Sequence, residues 1–167
     1  MNAVKKVTFP EQHQNRQPGK ESEMNPLPIC DNKDYKAAGK LKDKVAVISG
    51  GDSGIGRAIA IAFAKEGADI AVIHLQENDD ARETEQLVSG YGRKCVAIPA
   101  DLRNEQVSSE ITQKVMQEYG KIDILVNNAA VQVPQNSILD ITAEQMRVME
   151  QEAVQDEDQG EGMSQSM

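Results

Sequence analysis

Cysteine, histidine and long apolar runs are scarce in this 167-residue chain, and each shortage removes a class of protein. There are two cysteines and two histidines. Cys30 falls in a polar stretch and Cys95 in an apolar one, so the pair reads as free thiols rather than a disulfide framework. No Cys/His spacing matches a metal site, and His74 reads as a strand-end residue. No run approaches the length of a membrane span, and the opening stretch Met1 to Pro10 lacks the apolar segment of a secretory signal, which points to the cytoplasm. Positive charge is also scarce. Eighteen Lys and Arg against 27 Asp and Glu leave a net charge of −9, with no basic stripe, so neither nucleic acid nor an anionic membrane is expected as a partner.

Glycine is present where it carries chemistry. Ser49-Gly50-Gly51-Asp52-Ser53-Gly54-Ile55-Gly56 follows the apolar run Lys44 to Ile48 and precedes the amphipathic stretch Arg57 to Glu66, which makes it a strand-to-helix turn. Gly50 lets the chain reverse, Gly54 lets backbone come close to a ligand, and Gly56 lets the new helix pack tightly on the strand. A pyrophosphate at such a turn meets free N–H groups and the positive end of the helix dipole. An ordinary tight turn between strand and helix is the plainer alternative for three glycines in eight residues.

Two further motifs follow in order. Asp101-Leu102 comes after the strand-like Cys95 to Pro99, and Asn127-Asn128-Ala129-Ala130 ends the apolar run Ile122 to Val126. Together the three resemble the short-chain dehydrogenase/reductase family, whose first motif is T-G-x-x-x-G-I-G and whose later one is N-N-A-G. Ser49 stands here for the threonine and Ala130 for the last glycine. The resemblance runs from about Leu41 to about Gln145, and it is closest to bacterial members that carry an N-terminal arm. It implies an α/β fold, a Rossmann-like doubly wound parallel sheet, of which this chain holds the N-terminal half with strand order 3-2-1-4. It also implies a nicotinamide dinucleotide cofactor, NAD or NADP, held by Gly50, Ser53, Gly54, Ile55, Gly56, His74, Asp101, Leu102, Asn128 and Ala129. Asp101 is the family's adenine contact, with a turn-forming role as its plainer reading.

Three segments are expected. Residues 1–40 form a polar leader arm rich in Pro and Gln, either disordered or, as the resemblance implies, lying over a neighbouring subunit. Residues 41–145 form the dinucleotide-binding half-domain, with strands at about Lys44 to Ser49, Asp69 to Leu75, Lys94 to Ile98 and Ile122 to Asn127. The first helix should bury Ile55, Ile59, Ala62 and Phe63, and the third, about Asn104 to Tyr119, should bury Val107, Ile111, Val115 and Tyr119. Gly67 and Gly120 close these helices, and Thr142 caps a later one. Residues 146–167 form an acidic tail that departs from the family pattern, as a frame shift or early stop would produce, an unusual natural tail being the alternative.

The resemblance also says what catalysis requires: a Tyr as proton donor, a Lys four residues later that lowers its pKa, and a Ser that holds the substrate oxygen. Four residues after Tyr35, Tyr91 and Tyr119 stand Gly39, Cys95 and Asp123. No catalytic residue is therefore assigned, and a small alcohol or carbonyl substrate is expected only if the missing half is supplied. Two readings remain open, a short-chain dehydrogenase/reductase by ancestry and a truncated dinucleotide-binding fragment without turnover. Glu77, Asp79 and Asp80 after the second strand would repel a second phosphate, which leans the cofactor towards NAD. Strand four, apolar on both faces, is expected to be an open edge through which chains self-associate.

Overall fold

The computed structural model describes residue 14 and residues 20–104, 106–130 and 137–145. The expected acidic tail at 146–167 and most of the first twenty residues lie outside the described residues. Four strands alternate with three helices: β1 (Val45–Ser49), α1 (Gly54–Lys65), β2 (Asp69–His74), α2 (Asn78–Ser89), β3 (Cys95–Pro99), α3 (Val107–Tyr119) and β4 (Ile124–Val126). The strands are all parallel in the order β3-β2-β1-β4, as the sequence leads one to expect.

The strands are apolar on both sides because both faces are covered. Ala46, Ile48, Ile70 and Val72 pack with Ala60 and Ala64 of α1 and Val88 of α2 on one face. Val45, Val47, Ala71, Ile73 and Ile98 pack against Ile111 and Val115 of α3 on the other. Each valine or isoleucine withdrawn from water contributes about 1.5–3 kcal/mol, so the two clusters hold the sheet together. In α3 Ile111 and Val115 of the four-residue stripe are buried, Val107 and Tyr119 are half-buried against the same cluster, and Gly120 ends the helix in the left-handed region at φ 76°.

In α1 the buried face differs from the expected one. Gly56, Arg57, Ala60, Ile61 and Ala64 are buried, whereas Ile55 is 75 % exposed, Ala62 is exposed, and Ile59 and Phe63 are half-buried. The cause is the turn. Gly56 is pressed onto the backbone of Gly50, which rotates α1 so that the row 56, 60, 64 meets the sheet through its smallest side chains. The strand-four expectation also needs a correction, since β4 spans only Ile124–Val126. Ile124 and Val126 turn into the first cluster, and Leu125, beside Val47 in the register, is 63 % exposed. Among the described residues β4 is an edge strand paired with β1 alone.

Residues 20–40 run along the outer side of α1 through polar contacts. Glu66 accepts from the Tyr35 hydroxyl and from the Lys40 N–H at 2.7 Å, and Asp31 pairs with Lys65 and accepts from the Tyr91 hydroxyl at 2.6 Å. Downstream, Thr142 and Gln145 cap each other reciprocally, Gln145 N–H donating to Thr142 Oγ1 at 3.2 Å and Thr142 N–H to Gln145 Oε1 at 2.9 Å. Both cysteines are free, and burial pushes the Cys95 thiol up to about 12. Among the described residues no helix is long and apolar enough to cross a membrane.

Candidate functional site

Parallel pairing places the carboxyl ends of all four strands on one edge of the sheet. Ser49, His74, Pro99 and Val126 end their strands there, and each expected site residue sits at or just beyond one of those ends. The chain runs from β1 outward to β2 and β3 on one side, then returns to place β4 on the other. The crevice at such a reversal is where open α/β sheets bind ligands.

Gly56 and Gly54 divide the work of the turn. A Cβ on Gly56 would lie 2.0 Å from the Gly50 carbonyl oxygen and 2.7 Å from Asn128 Nδ2, so only glycine lets α1 start this close to β1. A Cβ on Gly54 would meet nothing within 4 Å, yet its φ of +53° is a conformation that side-chain-bearing residues rarely adopt. A Gly54 side chain would thus stand in open space. The N–H groups of Gly54, Ile55 and Gly56 at the start of α1 have no carbonyl one turn back to bond within the helix, that of Gly54 being taken by Glu21 Oε2 at 2.7 Å.

Asn128 and Ser49 lock the β4 end to this turn. Asn128 Nδ2 donates to the carbonyl oxygens of Ser49 and Gly50, each at 3.0 Å. Ser49 Oγ accepts from the N–H groups of Asn128 and Ala129 at 2.9 and 3.0 Å, and donates to the Val126 carbonyl at 3.3 Å. The hydroxyl that replaces threonine in the motif is therefore a three-way brace.

On the other flank, the Gly50 N–H bonds the Ile73 carbonyl at 2.8 Å, and the Ala100 N–H bonds the His74 carbonyl at 2.9 Å, which ties the ends of β1, β2 and β3 in sequence. His74 is 4 % exposed and its Nδ1 has no hydrogen-bond partner among the described residues. Asp52 is also buried, and burial raises its carboxyl above the usual range. Asp101 lies beyond β3 with both carboxylate oxygens held by Arg103, at 2.8 and 2.6 Å, which lowers its pKa to about 2. Leu102 packs its side chain against the α3 face. The turn is thus joined to Asn128 and Ala129 through the Asn128 amide and the Ser49 hydroxyl and to β2 through the Ile73 carbonyl next to His74, while Asp101 follows Ala100, whose N–H bonds the His74 carbonyl.

Two residues at this edge escape a reading of the sequence. Arg57 is buried, and its Nε donates to the Asp52 carbonyl at 2.9 Å and to Thr84 Oγ1 at 3.0 Å. Its remaining nitrogens pair with Asp80, Glu83 and Glu21. Its one advance signal is being the single charge in the apolar stretch from Gly54 to Ala64. Glu21 Oε2 accepts from the Gly54 N–H at 2.7 Å, and nothing local announces a contact across 33 positions.

The tyrosines occupy the opposite edge. Tyr35 donates to Glu66 after α1, Tyr91 to Asp31 after α2, and Tyr119 at the end of α3 to the Ile70 carbonyl at 2.7 Å. Burial pushes the Tyr119 hydroxyl up, which opposes any role as a proton donor.

A sequence profile described as short chain dehydrogenase matches residues 44–153, well over half of the chain. The chain belongs to the short-chain dehydrogenase family. The match continues past Gln145, where the motif resemblance ends, into residues outside the described set. This short-chain dehydrogenase sequence is 56% identical over 135 residues to the uncharacterized oxidoreductase YhdF of Bacillus subtilis, a region that is 81% of this chain and 47% of that protein. It is 55% identical over 138 residues to general stress protein 39 of the same organism, 83% of this chain and 48% of the relative. Among solved structures, a short chain dehydrogenase from Mycobacterium paratuberculosis bound to NAD aligns with TM-score 0.63 at 34% identity, over 70% of this chain and 47% of that one. One from Burkholderia cenocepacia in complex with NADP aligns with TM-score 0.64 at 31% identity, over the same shares of the two chains. The chain spans about half the length of these relatives.

Proposed function

We propose that residues 41–145 are the nicotinamide-dinucleotide-binding half of a short-chain dehydrogenase/reductase that moves a hydride between the dinucleotide and a small alcohol or carbonyl compound. The observation that carries this reading is the glycine turn at the strand reversal, with open space where a Gly54 side chain would stand at the N-terminus of α1. The amides of Ile55 and Gly56 would hold the pyrophosphate, with Gly50 and Ser53 shaping the turn around it. His74 suits the adenosine ribose, because its buried Nδ1 has no partner among the described residues and a ribose hydroxyl would supply one. Asp101 and Leu102 would flank the adenine, and Asn128 and Ala129 the nicotinamide side. The solved relatives bound to NAD and to NADP support a dinucleotide of this type, and the acidic residues Glu77, Asp79 and Asp80 after β2 favour NAD.

A nicotinamide supplies or accepts the hydride, and turnover further needs a proton donor at the substrate oxygen. The three tyrosine hydroxyls are committed at the far edge of the sheet. The chain by itself therefore binds dinucleotide without turning over substrate. Calorimetric titration of NAD and NADP into the chain and into Gly54→Val tests this. Saturable binding that the substitution removes is expected, and equal affinity in both proteins sinks the assignment.

A further inference from the structure

Glu21 comes to the candidate site from the arm, 33 positions before Gly54, and its two carboxylate oxygens are used differently. Oε2 accepts from the Gly54 N–H at 2.7 Å, and Oε1 pairs with Arg57 Nη1 at 3.3 Å. The two side chains are 11% and 4% exposed, so both are shielded from solvent screening. We propose that Glu21 is a specificity-determining residue that sets this site against a 2′-phosphorylated dinucleotide. The inference rests on the dinucleotide reading of the same site.

A 2′-phosphate carries close to two negative charges and needs N–H donors and a cation. Arg57 is the cation at the turn, on the flank that faces β2 and α2. Its Nε is taken by the Asp52 carbonyl and Thr84, its Nη2 by the Asp80 carbonyl at 3.2 Å and the Asp80 carboxylate at 3.6 Å, and its Nη1 by Glu83 at 2.9 Å as well as by Glu21. Three carboxylates thus surround one guanidinium. Asp80 and Glu83 approach from α2. Of the three, Glu21 is the one that also occupies an N–H of the turn. It removes a donor and cancels the cation in one stroke, while a 2′-hydroxyl, which is neutral, meets no such repulsion.

NAD and NADP differ only in that phosphate, so their affinity ratio reads the effect directly. The experiment is titration of both into the full chain, into Glu21→Gln, which keeps an acceptor for Gly54 while removing the charge, and into Glu83→Gln. In Glu21→Gln, NADP should tighten by about tenfold, as expected for loss of one close charge in a partly shielded site, with NAD unchanged within about twofold. Glu83 is more exposed at 55% and reaches Arg57 from α2. Its neutralisation should shift NADP by less than about threefold. An unchanged NADP/NAD ratio in Glu21→Gln overturns the proposal. So does equal tightening of both dinucleotides, which would make Glu21 a competitor of the shared pyrophosphate, and so do equal shifts in the two variants. If Glu21→Gln does not fold, Glu21→Ala with the same readout decides between these outcomes. Absence of binding by either dinucleotide to any of the proteins overturns the underlying site reading, and the inference with it.

Discussion

Asn128 holds Gly50 in place: its Nδ2 sits 3.0 Å from the Gly50 carbonyl oxygen while donating at the same distance to Ser49. That amide connects the last described strand to the turn at the first, across the crevice where a ligand would enter. Replacing it with leucine removes both bonds and leaves two carbonyls without that donor. Asn128→Leu should lower unfolding stability by about 1–3 kcal/mol in urea titration. A change within a few tenths would show that the brace is not structural.

Gly56 tests the close approach of α1 to β1. A methyl group there would lie 2.0 Å from backbone, not from a flexible side chain, so nothing cheap can move aside. Gly56→Ala should destabilise the fold by about 1–3 kcal/mol, or more if the turn cannot relax. A thermal transition matching that of the parent would mean that α1 starts farther from the strand than described.

The strand order and the covered faces were legible because they follow from short apolar runs alternating with helical stripes, and the stripe Ile111 to Tyr119 needed no tertiary information. The Thr142 cap was legible for the same reason, its partner Gln145 being three residues away. The face of α1 was not. Ile55, Ile59, Ala62 and Phe63 form the larger apolar row, but rotation of the helix is fixed by contact between Gly56 and Gly50, which favours the row of small side chains. The role of Arg57 is not legible because its partners come from residues 21, 80 and 83, and such long-range pairing leaves no periodic trace.

Acid should loosen the β4 edge. Asp123 accepts from the Val45 N–H at 2.9 Å and pairs with Lys121 and Lys44, contacts that lower its pKa from 3.8 to about 2. Its folded-state pKa is below the unfolded one, so the stability it contributes is fully present above about pH 4 and is lost as pH falls towards 2. An acid titration should show stability falling in that window, and Asp123→Asn should flatten the slope there. An unchanged slope would remove Asp123 from the account.

Commitment of the tyrosines predicts a negative result with positive controls. Purified chain given NADH or NADPH should reduce no member of a broad aldehyde and ketone panel above background, even where dinucleotide binding is measured. Turnover that survives removal of contaminating enzymes and is lost on Tyr91→Phe or Tyr119→Phe would contradict it.

The most direct test of the central claim is amide NMR of the chain during titration with NAD. The account predicts saturable shifts at Gly54, Ile55 and Gly56 and around His74 and Asn128, with Tyr35, Tyr91 and Tyr119 at the other edge of the sheet unaffected. Shifts confined to that other edge, or none at the glycine turn at saturating dinucleotide, would contradict it.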